Sequence, residues 1–576
     1  MHPTSKPPAS LGKKIFRATA LIIVANLLFK LAGLIQAKVM GHCLLPGDFD
    51  VLYSFVFQNC IYGLFLIGEE SLAPAFMPVF LEELGDGDDR KGWRFANSVL
   101  TLQAVILVGT VALLMLFPDW MVRLWTDWAP DSDRFRLGCV GVRWLAPALI
   151  GLSLGTTTYV ILNAYQRFFL AAFGDAVWKF TVVAALLVGV VFLRGDARIL
   201  LMAGLVVGAL LKVGTHLVGL RDKVRFFRPS FDWGSPAMKR LYRLMLPLIA
   251  GILFAKLRDL FNNVTVLSRL ESTGLMRANS VGRMLQGAIH TLVPLTLSTA
   301  VFPFFCKLVD NNDTVKFAET LTRMGRFLLA VFLPFVTVLA VLAFPLTHFI
   351  FHGGQFDAEA VEIASLSTAL YVLVIPASAV EALAMRGFFA NRRMVAMTVV
   401  GIVFSSLSML VSWTGMQLDL AAGGIETALP WAVRACDALH LRGFGEGWIT
   451  LAAIAGGFSI TRVFKCVALV AMLRSSAPVF PPRATAWFLV RVLAVAVASG
   501  VAAWAASRCA ALLPIDPAQL DGRVEDMARL LLGGGAGALA ALAGLWLLRV
   551  REPFEIVPLV LSRRNRPTAP SPGTED

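Results

Sequence analysis

The sequence predicts an all-α polytopic membrane protein with about 14 transmembrane helices. Its 576 residues are 57% hydrophobic and only 16% charged, with a mean hydropathy of +0.72. This leaves too little polar surface for a soluble protein of this length. Apolar runs of about 20 residues recur along the chain, and each is long enough to cross the bilayer as a helix. The alternation in segments of about ten residues that is typical of membrane β-barrels is not seen.

The first apolar run follows a basic, Pro-rich lead at 1–16. This run has no small-residue cleavage site, so we interpret it as the first span rather than as a signal peptide. The predicted spans are 17–39, 50–80, 95–117, 138–163, 168–193, 198–220, 241–262, 278–305, 327–350, 362–385, 395–414, 447–473, 485–507 and 527–548.

Lys and Arg are concentrated in alternate loops, which predicts that those loops and both termini are cytoplasmic. The net charge of +14 is explained by these loops, and we expect no nucleic-acid partner. The seven cysteines are scattered and form no CxxC pair, which favours neither a zinc site nor a disulfide framework. We expect no cofactor, and the sequence does not identify a coupling ion.

Two parts of the chain resemble each other. "AFMPVF" at 75–80 and "AVFPFF" at 300–305 share A-x-x-P-x-F, and Lys30 and Lys256 precede them at similar distances. Two matches in register predict two six-helix bundles in a parallel pseudo-twofold repeat, followed by two C-terminal helices. The predicted parts are a cytoplasmic lead 1–16, an N-terminal bundle 17–220, a basic linker 221–240, a C-terminal bundle 241–474 with an outer-loop insertion 415–446, two additional helices 485–548 and a cytoplasmic tail 549–576.

Charged residues lie within the predicted spans, as in "LFLIGEESLAPAFMPVF" at 64–80. A charge at bilayer depth costs a few kcal/mol or more, so it usually faces a polar cavity or a partner. Spans 5 and 6 carry Asp175, Lys179, Lys212 and His216. The first two spans of each repeat carry the residues that we expect to line a central cavity, namely Lys30, Glu69, Lys256, Arg258, Asp259 and Arg283.

Structural explanations compete with this hypothesis. Asp259 can simply pair with Arg258 or Lys256, and Lys38 is near a helix end, where its side chain can reach water. Glu70 points about 100° away from Glu69 around the helix. An ion pair that locks span 2 to a neighbouring helix is therefore an alternative for this stretch. The cations favour an anionic substrate such as a phosphate. No enzyme signature is recognisable, so we expect a protein that is not an enzyme.

Five stretches, in order along residues 17–475, resemble the MurJ/MviN family of lipid II flippases in the multidrug/oligosaccharidyl-lipid/polysaccharide exporter superfamily. They are "AKVMG" at 37–41, "GEESLAPAFMPVF" at 68–80, "SRLESTGLMRANSVGRML" at 268–285, "FIFHGGQFDAEAV" at 349–361 and "MRGFFANRRMVAM" at 385–397. By this resemblance Glu69 matches the span 2 glutamate of the family and Arg283 matches a cavity arginine. The aspartate that follows span 1 corresponds to Asp48 or Asp50.

The resemblance implies a multi-pass flippase of the bacterial cytoplasmic membrane. It would move a polyprenyl-pyrophosphate-linked saccharide, lipid II, to the outer leaflet by alternating access. Lys30, Lys256 and Arg283 would hold the pyrophosphate, and spans 13 and 14 would form an apolar groove for the lipid tail. Membrane lipid and the cell-wall synthesis machinery are further expected partners. Energy would come from the membrane potential or an ion gradient.

The chain departs from the family pattern at two places. The family has an R-D pair where this chain has Ala32 and Gly33, and an arginine where it has Leu64 and Phe65. These departures favour the first of three alternative functions, and the excess of cations argues against the second. The three are a flippase for another lipid-linked oligosaccharide or polysaccharide unit, an ion-coupled drug antiporter and a non-transporting scaffold.

Overall fold

The structure is a computed structural model, and nearly all of its ordered elements are helices. Apart from an isolated antiparallel bridge between Gly353 and Phe356, the described residues contain only helices and their connections. The described residues are 31–84, 89–165, 167–192, 195–270, 272, 274–290, 301, 305, 308–309, 311–391, 394–425, 427–438, 446–510 and 522–554.

Every predicted span overlaps a helix, which confirms the all-helical fold class. Of the described helices, 10 are long and apolar enough to cross a membrane, or 11 if the bent helix α4 is one span. The total of fourteen spans stays a prediction. The helices are α1 (31–43), α2 (Pro46–Leu84), α3 (Asp89–Leu116), α4 (Asp133–Leu145 followed by Ala148–Ala164), α5 (Phe168–Leu186), α6 (Ala197–Gly219), α7 (Pro236–Leu260), α8 (Leu275–His290), α9 (Thr314–Val341), α10 (Ala358–Val372 followed by Ile375–Ala390), α11 (Met394–Ala422), α12 (Trp448–Arg474), α13 (Pro482–Ala510) and α14 (Arg523–Leu547).

The loop after α11 begins later than expected. We placed its start at 415, but α11 continues to Ala422, because Met, Gln, Leu and Ala in this stretch favour helix. The helix stops at Gly423 and Gly424, and Gly424 has a φ of 72°, which glycine adopts without strain. Within the loop, Pro430–Ala438 forms a short helix.

The contacts divide the chain into two compact units. The first unit contains Met1–Val281, Ile350–Ala364 and Ser405–Ile454, and the second contains Gly282–Phe349, Ser365–Phe404 and Ala455–Asp576. These units are defined by which residues lie close together, whereas the two six-helix bundles were predicted from an internal sequence repeat. The two definitions differ, so the bundle boundaries stay a prediction. Part of the second A-x-x-P-x-F copy, with Ala300 and Pro303, lies outside the described residues.

Aromatic packing forms the core of the first unit at one end of α2. Phe76 stacks on Phe80 and on Phe95 of α3, with ring centroids 5.2 Å apart in both pairs. The indole of Trp93 is almost fully buried and donates a hydrogen bond to the hydroxyl of Tyr165, 2.9 Å away. A buried aromatic ring removes a large apolar area from the surroundings and fixes its neighbours. These contacts hold α2 against α3 and α4.

A tight turn between α12 and α13 forms part of the second unit's core. Phe480 has a φ of 46°, and its backbone N–H donates to Thr322 Oγ1 of α9 at 2.9 Å. Its ring occupies the space beside Gly325, where a Cβ would lie 2.3 Å from the ring. Only glycine at 325 leaves room for this ring, so α9 and the turn are fixed together.

Two glycines in "LLLGGGAGALAALAG" bring α14 close to its neighbours. A Cβ on Gly533 would lie 2.8 Å from Leu342, and one on Gly537 would lie 2.5 Å from Val338 of α9. Gly534 has open space around it. Small residues therefore allow close helix packing on the face of α14 that carries Gly533 and Gly537.

A buried ion triad ties α10 to α12 in the second unit. The carboxylate of Glu381 is only 2% exposed. It accepts a hydrogen bond from Arg462 Nε at 2.6 Å and forms an ion pair with Lys465, whose Nζ lies 2.7 Å from the other carboxylate oxygen. The carboxylate therefore neutralises two cations at once. Glu381 was not among the residues predicted from the sequence.

We expect Glu381→Gln to destabilise the folded protein strongly. The substitution leaves two cations in an apolar setting without their carboxylate, and breaking a buried pair costs about 3–5 kcal/mol. The melting temperature of the purified protein in detergent measures this loss. Glu525→Gln is the matched control, because Glu525 pairs one turn along its own helix with Arg529 and such pairs contribute about 0.3–0.5 kcal/mol. Equal melting temperatures for the two variants would contradict the assignment.

Candidate functional site

A buried lysine lies at the centre of the candidate site in the first unit. Lys212 of α6 is 3% exposed, and its Nζ lies 2.6 Å from a carboxylate oxygen of Asp175 on α5. The ammonium also lies 5.5 Å from the centre of the Phe65 ring of α2, within the range of a cation–π interaction. Three helices thus meet at one charged side chain.

Small residues make the space for this lysine. A Cβ on Gly155 of α4 would lie 2.9 Å from Cε of Lys212, so the aliphatic stem packs directly on the α4 backbone. One turn later, His216 is fully buried. Its ring nitrogens contact Thr158 Oγ1 at 2.9 Å and the Ala171 carbonyl oxygen at 3.1 Å. The polar side chains Lys212 and His216 of α6 therefore find their partners on α4 and α5.

The two adjacent carboxylates of α2 have different surroundings. Glu70 accepts from Lys256 Nζ of α7 at 2.8 Å, so the structural explanation of an ion pair to a neighbouring helix is confirmed for Glu70. Glu69 is partly buried, and the nearby charges that act on it are Lys212 and Asp175, followed by Glu70 and Lys256. Adjacent residues on a helix point about 100° apart, which explains why one carboxylate faces α7 and the other faces the Lys212 pair.

We call Glu69, Glu70, Asp175, Lys179, Lys212 and Lys256 the first-unit charge cluster. Two ion pairs of this cluster differ in access. The Lys212–Asp175 pair includes a lysine that is almost completely enclosed, whereas Lys256 and Glu70 are 19% and 46% exposed. Lys256 can therefore exchange Glu70 for a charged ligand more readily than Lys212 can exchange Asp175.

Lys179 brings a further cation to α1. A Cβ on Gly33 would lie only 2.8 Å from Nζ of Lys179, so this ammonium lies against the α1 backbone where glycine leaves space. It also lies 5.6 Å from the centre of the Trp178 ring. The chain thus places a positive charge from α5 beside the position where the resembled family has its span 1 pair.

The remaining predicted residues fall into three groups. Arg258 binds Asp259 at 2.6 Å and also contacts Ser405 Oγ of α11 at 3.3 Å, which confirms the structural pairing that was open for Asp259. Arg283 is partly buried on α8 in the second unit. Lys30 lies outside the described residues. The cavity role of all four residues stays a prediction.

Asp50 is the buried aspartate after α1, and it caps another helix. Its two carboxylate oxygens accept from the backbone N–H groups of Gly274 at 2.6 Å and Arg277 at 2.7 Å. These groups lie in the first turn of α8, where unpaired donors and the helix dipole favour a negative charge. Asp48 is only partly buried. Asp50 is therefore the one of the two that caps α8, and which of them corresponds to the family aspartate stays a prediction.

The stretch 349–361 completes this arrangement. Arg277 is 2% exposed; its Nη1 donates to the Gln355 carbonyl oxygen at 2.9 Å, and its guanidinium lies 4.5 Å from the Phe356 ring centre. Gly354 has a φ of 60°, and a Cβ there would lie 2.4 Å from His42. The glycine is required by both its backbone conformation and this close approach. Asp50, Arg277 and residues 352–356 form what we call the Asp50–Arg277 clamp.

Three residues of the site were not predicted to line the cavity, although their charges are visible in the sequence. Asp175, Lys179 and Lys212 were recognised as charges at membrane depth, but their pairing depends on which faces of α5 and α6 meet. In the described part of the chain, no group of three or more His, Cys, Asp or Glu residues is arranged to hold a metal ion.

A family model described as "Lipid II flippase MurJ" matches residues 17–436. The chain is also similar to curated proteins of the same description. It is 26% identical to a probable lipid II flippase MurJ of Rhizobium meliloti over 70% of this chain and 76% of the relative. It is 23% identical to the lipid II flippase MurJ of Burkholderia cenocepacia over 66% of this chain and 74% of the relative.

Solved structures show the same fold. The structure titled "Lipid II flippase MurJ, inward closed conformation" aligns with a TM-score of 0.66 and 15% identity, covering 92% of this chain and 99% of that chain. An inward-facing multidrug resistance transporter of the MATE family aligns with a TM-score of 0.56 and 11% identity, over 79% and 98% of the two chains. At these identities the likeness concerns the fold alone.

We expect Asp50→Ala to lower stability more than Asp48→Ala. Losing the Asp50 carboxylate leaves two N–H groups at the start of α8 without an acceptor, and removing a helix cap costs about 0.5–2 kcal/mol. Thermal unfolding of each purified variant in detergent measures the difference. A melting temperature that falls equally in both variants would show that Asp50 is not the cap on which the clamp depends.

Proposed function

Because the chain belongs to the MurJ family of lipid II flippases, we propose that it moves lipid II, a polyprenyl-pyrophosphate-linked saccharide, across the bacterial cytoplasmic membrane by alternating access. The observation that carries this proposal is the first-unit charge cluster, which places three lysines within membrane-spanning helices. Charges at this depth are expensive and usually serve transport or binding. No covalent chemistry is required for such a movement.

The cluster contains as many carboxylates as ammonium groups, and this balance suits a site that must also exist without substrate. A buried cation left without a counter-charge is strongly destabilising. In the empty protein, Glu70 supplies that counter-charge to Lys256. A pyrophosphate that enters the site takes over this role from the carboxylate, and the carboxylate takes it back when the substrate leaves.

The Lys256–Glu70 and Lys212–Asp175 pairs differ in exposure, and we propose a different role for each. Lys256 is reachable from the surroundings, and we propose it as a pyrophosphate ligand. Lys179 is a second proposed ligand, since its Nζ lies beside Gly33 of α1, where the resembled family has its charged pair. Lys212 is enclosed by Asp175 and Phe65, and its proposed role is to fix α5 and α6. Glu69 is proposed to orient the head group, and Arg283 and Lys30 are further proposed ligands by family resemblance.

A flippase for another lipid-linked oligosaccharide is the second candidate. It is favoured by the departures from the family pattern at Ala32, Gly33, Leu64 and Phe65, because these change the charges available to the head group. We propose further that both termini are cytoplasmic, on the distribution of Lys and Arg, and that the cell-wall synthesis machinery is a partner. The source of energy is proposed to be the membrane potential or an ion gradient.

Depletion of the protein in its own host tests the substrate directly. We expect lipid II to accumulate in the inner leaflet, because its synthesis continues while its export stops. The measurement is the amount of each lipid-linked precursor that remains inaccessible from outside the cell. Accumulation of a different lipid-linked saccharide would favour the second candidate, and no accumulation would contradict both.

In the same host, we expect Lys256→Met to reduce transport about tenfold to a hundredfold, by analogy with the loss of a hydrogen bond to a charged group, worth about 1.5–3 kcal/mol. Lys256→Arg keeps the charge and should retain part of the activity. Lys38→Met is the matched control near a helix end. Transport is measured per folded protein, which size-exclusion chromatography quantifies. Equal activity of Lys256→Met and Lys38→Met would remove Lys256 from the site.

A further inference from the structure

A charged cavity lies in the second unit, at the start of α9. It has a volume of about 650 Å³ and is bounded by the first turns of α9, the turn that leads into α13 and the residues after α14. Four arginines and two glutamates line it, so the charge of its walls is positive. These residues are Glu319, Arg323, Arg326, Arg549, Arg551 and Glu552.

The segment after α14 is held in place by one buried side chain. Arg549 adopts a φ of 55°, which turns the chain back toward the helices. Val550 is then buried among residues of α9, α13 and α14 that include Ala330 and Phe488. The carbonyl of Leu548 accepts from Arg491 Nη1 at 3.2 Å. Arg549 and Arg551 therefore flank an anchored residue and are placed at the cavity by the fold.

The opposite wall is equally fixed. The guanidinium of Arg326 lies 3.8 Å from Glu552 and 5.3 Å from the centre of the Phe488 ring. These contacts join α9, α13 and the segment after α14 around the cavity. Arginine presents several N–H donors in a planar fork that matches the oxygens of a phosphate. Three of the four arginines, Arg326, Arg549 and Arg551, are positioned by packing within the protein.

The surroundings place this cavity at the edge of the bilayer. It lies where α9 begins, α13 begins and α14 ends. Trp487 of α13 and Trp546 of α14 are exposed close to these helix ends, and tryptophan is enriched at the level of lipid head groups. Leu547 beside them is also exposed, as expected of a side chain that faces lipid. A head group at this depth is within reach of the arginines.

We propose that this cavity binds the phosphate-bearing head group of an anionic phospholipid. Basic pockets between transmembrane helices on the cytoplasmic side are suited to such head groups, and the predicted topology puts this cavity on that side. The lipid is preferred to a soluble phosphate because apolar, exposed helix surface adjoins the arginines and can accept its acyl chains. The site shares no residue with those proposed for transport, and it lies in the other unit from the first-unit charge cluster.

Native mass spectrometry of the full-length protein tests this site. The purified protein is presented in mixed micelles with phosphatidylglycerol and phosphatidylcholine of identical acyl chains, and the affinity for each lipid is measured. We expect tighter binding of phosphatidylglycerol. The double substitution Arg549→Gln with Arg551→Gln should weaken it by about tenfold or more. The matched control, Arg221→Gln with Arg228→Gln, removes the same charge from exposed positions of the 221–240 linker and should leave the affinity unchanged.

Three results would overturn the proposal. The first is equal affinity for the two lipids, and the second is an equal loss of phosphatidylglycerol affinity in the control variant. The third is displacement of phosphatidylglycerol by inorganic phosphate at comparable concentration, which would assign the site to a soluble anion. Size-exclusion chromatography and the melting temperature without lipid establish that the variants are folded. If the double variant does not fold, Arg323→Gln, at an exposed position of α9, takes its place with the same expected direction, and unchanged phosphatidylglycerol binding in that variant would contradict the proposal.

Discussion

Charges within membrane-spanning helices need partners on neighbouring helices, and this requirement determines much of the packing within each unit. In an apolar environment an isolated charge is costly, while apolar side chains alone distinguish poorly between one neighbour and another because lipid tails are equally apolar. The Lys212–Asp175 pair joins α6 to α5, and Glu381 joins α10 to α12 through two cations. Each pair specifies a helix neighbour and a rotation about the helix axis.

The same requirement separates the charges that fix helices from those that we propose for substrate binding. A pair in which one member is almost completely enclosed, as Lys212 and Glu381 are, cannot give up its partner without a large loss of stability, so it fixes helices. A pair that is partly exposed, such as Lys256 with Glu70, can exchange its carboxylate for an anionic ligand at lower cost. Transport of a pyrophosphate needs both kinds, because a stable framework must surround a counter-charge that is replaceable.

Carboxylates also join segments that are distant in sequence by capping helices. Asp50 accepts from the first turn of α8. Asp419, near the end of α11, accepts from the N–H groups of Gly447 at 3.2 Å and Thr450 at 2.8 Å at the start of α12. A helix start presents unpaired donors and a positive dipole end. A single aspartate from another segment satisfies both, so these two contacts fix where α8 and α12 begin.

Hydropathy in the sequence was sufficient to predict the helices, because the length of an apolar run and the thickness of a bilayer determine which segments can span it. The motifs were sufficient to indicate the family, and the charges at membrane depth were recognisable in the sequence. The partners of those charges were not. Two carboxylates one residue apart, Glu69 and Glu70, face different helices, and this follows from how α2 is rotated against α6 and α7. Likewise, Asp48 and Asp50 are equivalent in the sequence, and only the approach of the α8 N-terminus selects Asp50 as its cap. The rotation of α2 about its axis and the approach of α8 to Asp50 depend on side-chain packing between segments far apart in the chain. Only the tertiary structure therefore decided them.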